Sequence, residues 1–238
     1  MAEKTIIRVG LENNMDGRSV AWALDYMGCF TNGKDGIDAL NRVSEALMTF
    51  RDWTLQYSPD SWLRDLGDFE VKQEEVFECY FLDENFKLAK DGYEVDAWFL
   101  DDWRPLTKVD IEHGMQILAW ARVDLLKLVS PLPPDILDRT YPKERWSVRG
   151  VLGHIGNAEH WYMDRLDRGG VAGKDLPKDE FEKLTVVRTR LNQILPTLEG
   201  VNQVVGKEGE FWSPRKMLRR SIWHELDHIE HIKKLLVL

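Results

Sequence analysis

Three histidines near the C-terminus stand at spacings that could hold a metal ion. The segment RRSIWHELDHIEHIKKLL sets His224, His228 and His231 four and then three residues apart. At about 100° per residue in a helix, their side chains project along one narrow stripe. Imidazoles four residues apart can converge on one ion, which is why that interval serves zinc in HExxH helices. A further histidine, His154, lies in SVRGVLGHIGNAEHWYMDRL, whose apolar face is Val148, Val151, Leu152, Ile155, Tyr162 and Leu166. His154 projects about 100° from the middle of that face, on a rim where a cleft would form. If the two helices are neighbours, His154 meets the column. Three imidazoles leave an open coordination position, the pattern of a catalytic rather than a structural site. Zinc is the usual occupant, and nickel or iron is acceptable to imidazole. The alternative reading is a set of partly buried histidines hydrogen-bonded at a helix interface. His160 points about 140° from the apolar face and is expected in solvent.

Two carboxylates share these helices. Glu159 and Glu225 both project near the middle of their apolar faces, where a carboxylate is costly unless paired. They are candidates for a catalytic role, either orienting a ligating imidazole or moving a proton. A salt bridge to Arg219, Arg220 or another arginine of this half is the competing reading. Trp161 and Trp223, next to the histidines, read as ordinary core or interface aromatics.

Long helices must position these residues. Four segments, roughly 107–129, 147–168, 177–199 and 214–236, have helical periodicity, separated by loops containing SPLPP, GGVAGKDLPKD and GKEGEFWSP. Ser147 is the expected N-cap of the second, and Ser213-Pro214 supplies an N-cap and first-turn proline for the fourth. The pattern predicts an all-α up-and-down four-helix bundle over residues 105–238, whose interior is a usual place for a metal site.

The helix beginning WSVRGVLGHI, followed some 70 residues later by HxxxHxxHI, resembles the DinB-like superfamily of four-helix-bundle proteins. That resemblance implies a metal held by one histidine of the second helix and the HxxxH pair of the last, here His154, His224 and His228. It places His231 outside the ligand set, where relatives often have glutamine. It also implies chemistry with a low-molecular-weight thiol such as mycothiol or bacillithiol.

Residues 1–104 read in shorter pieces. TIIRVGLE and SVAWALDY are strand-like runs separated by the turn formers of NNMDGR, and Ile37, Leu40, Val43, Ala46, Leu47 and Phe50 recur at helical spacing. EEVFECYFL and YEVDAWFL are further strand-like runs. The expected fold is an α+β domain, a small antiparallel sheet carrying one helix. The run VAWALDYMGCFTNGKDGIDALNRVSEAL resembles the HicB-like antitoxin domain, with Met27 in place of the usual proline and Asp38-Ala39 in place of Glu-Ala. No DNA-binding element follows it, so a repressor role is not expected.

Composition bounds the rest. The 238 residues, 43% hydrophobic and 31% charged, suffice for two small domains with real cores. The formal net charge of -9 is unevenly placed: residues 1–104 hold 11 Lys and Arg against 22 Asp and Glu, and residues 105–238 hold 21 against 19. An acidic first half repels phosphate backbones, so nucleic acid is disfavoured as a partner. Cys29 and Cys79 are too few for a disulfide framework, and nothing resembles a membrane span or signal peptide, so a cytoplasmic protein is expected. The reading is a divalent-metal-dependent enzyme acting on a small molecule, as a thiol S-transferase or a hydrolase. Its alternative is a non-catalytic ligand- or partner-binding module, and a homodimer is left open.

Overall fold

The structure, a computed structural model, describes residues 4–237, and these divide into two compact units. The first comprises the residues up to Arg104 together with Gly206–Trp212; the second comprises Pro105–Val205 and the residues from Ser213 onward.

In the first unit β1 (Thr5–Met15) and β2 (Arg18–Ala23) pair antiparallel about Asp16 and Gly17. Both turn residues have positive φ, 48° and 74°, as a two-residue hairpin turn demands. β2 pairs antiparallel with β3 (Phe30–Gly33) after a turn in which Gly28 has φ 93°. The periodic run that follows forms two helices, α1 (Gly36–Asn41) and α2 (Val43–Tyr57), interrupted at Arg42. At Gly33 a Cβ would stand 2.2 Å from the Ala39 nitrogen, so only glycine admits α1 this close. The chain then enters β4 (Phe69–Glu78), which lies parallel to β1 and gives the order β3-β2-β1-β4. The sheet is therefore mixed, where a wholly antiparallel one was expected. The reason is the connection: a helical crossover returns the chain in its original direction, which a parallel pairing requires. A second sheet, ordered β6-β5-β7, joins β5 (Tyr80–Leu82), β6 (Leu88–Ala89) and β7 (Tyr93–Val95).

The late hairpin of β8 (Val205–Lys207) and β9 (Glu210–Trp212) supplies the rest of this unit. Its Gly209, at φ 81°, sits where a Cβ would meet Leu82 Cδ1 at 2.2 Å. Glu210 is buried and accepts from the Tyr93 hydroxyl, and the Phe211 ring lies 5.7 Å from that of Trp98.

The second unit is helical: α3 (Lys108–Val129), the short α4 (Pro134–Leu137), α5 (Val148–Asp164), α6 (Glu180–Ile194) and α7 (Pro214–Leu236). The caps are those the sequence suggests, with the Ser147 hydroxyl accepting from the Gly150 amide at 3.2 Å and Ser213 from Lys216 at 3.1 Å. α5 packs against α6 and α7, and α3 against α7. Leu125, Val151, Leu152, Leu184, Ile229 and Ile232, drawn from all four long helices, share one buried cluster. At Gly114 a Cβ would stand 2.7 Å from Leu218 Cδ2, so the missing side chain lets α3 and α7 approach. α5 ends at Asp164, before the expected residue 168, in a turn with Asp167 at φ 56°. α6 gives way at Ile194 to a 3-10 turn, Leu195–Leu198, because Pro196 cannot continue an α-helix. Among the described residues no helix is long and apolar enough to cross a membrane.

Candidate metal centre

The packing of α5 against α7 brings His154 to the HxxxH pair. His224 Nε2 lies 3.0 Å from His154 Nε2 and 3.1 Å from His228 Nε2, and one ligand atom from each of the three falls within 4.8 Å of the others. Hydrogen bonding alone accounts poorly for this cluster. A neutral imidazole nitrogen either donates one proton or accepts one, yet His224 Nε2 faces two nitrogens at once. Nitrogens about 2.0–2.1 Å from a tetrahedral ion sit roughly 3.3 Å from one another, close to the 3.0 and 3.1 Å spacings about His224. The donor set thus fits a borderline divalent ion.

Electrostatics agree with that fit, since imidazole ligates only when neutral. Burial, followed by the charges of His228, His154 and Arg220, holds His224 well below the ordinary histidine value. His154 is also lowered, first by burial and then by Arg145 and His231. Aromatic rings wall the cluster. Trp146 stacks on His154 at 4.4 Å and 24°, and Tyr162 and Trp223 each lie 5.8 Å from His224. Arg145 lies over the Trp146 ring at 4.6 Å.

The other two histidines of these helices are engaged elsewhere. His231 Nε2 is 3.1 Å from a Glu144 oxygen and stands outside the three-histidine group. His160 is not in solvent: it is 6% exposed and donates from Nε2 to the Val171 carbonyl at 2.8 Å, because the loop after α5 folds back over it.

Glu159 and Glu225 are both buried, and their oxygens face guanidinium groups. Arg188 donates to Glu159 at 2.8 and 2.9 Å and to Glu225, while Arg122 donates to Glu225 at 2.7 Å and to Glu159 at 3.2 Å. The salt-bridge reading describes this geometry, with Arg122 and Arg188 as the arginines. Each of α3, α5, α6 and α7 contributes one member. The arginines also donate to the Leu184 and Leu118 carbonyls, at 2.7 and 2.5 Å. Burial opposes ionisation of Glu225, but the charges of Arg188 and Arg122 outweigh it and hold the carboxyl below its ordinary value. The run His224-Glu225-Leu226-Asp227-His228 has the HExxH form, in which the glutamate serves as general base. Here that glutamate is held by two core arginines.

Sequence reasoning missed Trp146, Glu144, Arg122 and Arg188. A signal existed for the arginines: both occupy apolar-arc positions, Arg122 beside Ala121 and Leu125, and Arg188 between Leu184 and Leu191.

No curated protein and no solved structure matches the chain. The family model of the DinB superfamily matches residues 117–232, so the similarity to that family covers the part of the chain that carries His154, His224 and His228.

Proposed function

We propose that the second unit is a DinB-type four-helix bundle whose His154, His224 and His228 hold a divalent metal for chemistry on a small molecule. The observation that carries this reading is the convergence of three imidazole nitrogens from two helices. A metal held there would lower the pKa of a bound thiol or water, which suits thiol S-transfer or hydrolysis. The chain supplies the rest. Burial keeps His224 in its ligating form, and Trp146 fixes the His154 ring plane. Trp146, Tyr162 and Trp223 limit water at the site. The charge tetrad of Arg122, Glu159, Arg188 and Glu225 serves to hold α7, and with it the two histidines, in register against α5. Thiol use is supported by the family likeness. A HicB-like first unit is supported by its three strands leading into a helix past the Met27-Gly28-Cys29 turn.

The test is metal analysis of protein purified without a polyhistidine tag, beside the H154A/H224A/H228A variant. About one zinc, nickel or iron per chain is expected in the native protein and none in the variant. Equal metal content in both overturns the reading. Metal-loaded protein is then incubated with a panel of low-molecular-weight thiols and electrophiles. Inertness throughout, with retained metal, favours a binding module over an enzyme.

A further inference from the structure

A cavity of about 590 Å³ opens between α5, α6 and the loop that joins them. Its volume is in the range of small-molecule sites. Met163 and Val187 form its floor, and Val171 and Val186, 52% and 43% exposed, form its lip. Met163 stands nine residues along α5 from His154, about 13 Å at 1.5 Å per residue, so this is a different place from the histidine cluster.

The cavity wall is built rather than incidental. Gly169 and Gly170 let the loop lie against both helices: a Cβ at Gly169 would stand 3.0 Å from His160 Nε2, and one at Gly170, where φ is 85°, would stand 3.1 Å from Arg190 Nε. The loop is pinned on each side of these glycines. Arg190 Nε donates to the Arg168 carbonyl at 3.1 Å, and His160 Nε2 donates to the Val171 carbonyl at 2.8 Å. Two side chains from two helices thus hold the wall in place without a ligand.

Arg190 also gives the cavity its polarity. Its Nε is committed to the loop, which leaves the two terminal nitrogens at the cavity edge, and among the described residues no carboxylate pairs with them. A planar fork with one positive charge matches a carboxylate end-on. The apolar floor and lip suit an aliphatic or single-ring body, whose burial contributes roughly 25 cal/mol per Å².

We infer that this cavity binds a small amphipathic carboxylate, with its anionic head on Arg190 and its apolar body against Met163, Val187 and the lip valines. The inference is independent of the metal reading. The test is calorimetric titration of the full chain with octanoate, 1-octanol and octylamine. Octanoate is expected to bind saturably at one site and octylamine at least tenfold more weakly. Arg190→Gln is expected to weaken octanoate at least tenfold more than it weakens octanol, and Arg190→Lys, which keeps the charge without the fork, to give an octanoate affinity between those of Arg190→Gln and the native protein. Val186→Asp, on an exposed lip position, is expected to weaken octanoate and octanol alike, which keeps the test decisive if Arg190→Gln unfolds. The H154A/H224A/H228A variant is expected to bind octanoate like the native protein, so the two readings fail separately. No saturable octanoate binding, or equal binding by octylamine or by a folded Arg190→Gln, overturns the proposal.

Discussion

His224 ties the stability of this chain to pH. Its ordinary value is 6.5 and burial depresses it in the folded protein, so below that pH the unfolded chain binds more protons than the folded one. The stabilising contribution is complete above about pH 6.5 and is lost as pH falls, and His154 acts in the same direction. Metal-depleted protein is therefore expected to unfold at a lower temperature at pH 5.5 than at pH 7.5, with a smaller difference in the H154A/H224A/H228A variant. Scanning calorimetry at the two pH values checks this, and equal differences in both proteins would rule it out. The histidine column was legible because imidazoles at four-residue intervals share a face whatever surrounds the helix. The Glu144 contact of His231 was not, because a loop ten residues before α5's His154 and on no periodic element supplies it. His160 was misplaced for the same kind of reason: helical angles locate a side chain relative to its own helix and know nothing of a loop that folds back over it.

At the scale of elements, the four long helices were readable from period and caps, since Ser147 and Ser213 act locally. What joins them was half legible. Glu159 and Glu225 stood out as carboxylates on apolar faces, but their arginines did not, because a long cationic side chain on a helix usually reaches back to solvent. The parallel placement of β4 was hidden too, since nothing in a strand's own residues names its neighbour. The charge tetrad makes an uneven prediction about substitution. Arg188→Met leaves Glu159 and Glu225 short of a cation and is expected to cost about 3–5 kcal/mol, whereas replacing all four members with Met and Leu is expected to cost less. Denaturant unfolding of the two variants measures it; a quadruple variant less stable than Arg188→Met would contradict the account.

For the whole molecule, the division into units sharpens the charge map. With Gly206–Trp212 included, the first unit holds 12 Lys and Arg against 24 Asp and Glu, and the second 20 against 17. The sequence placed the seam at residue 104 from composition, and composition cannot show a seven-residue return. A fragment ending at Arg104 lacks the Glu210 acceptor of Tyr93 and the Phe211 ring beside Trp98. It is expected to unfold at a lower temperature than the same fragment with residues 205–212 appended through a flexible linker, and equal midpoints would show the hairpin to be dispensable. The hairpin also bears on synthesis. Domains that emerge first from the ribosome generally fold first, but here the strand that completes the leading unit is made only after three of the second unit's four long helices. The leading unit must wait for nearly the whole chain, so the two units can be finished only close together in time rather than one well before the other.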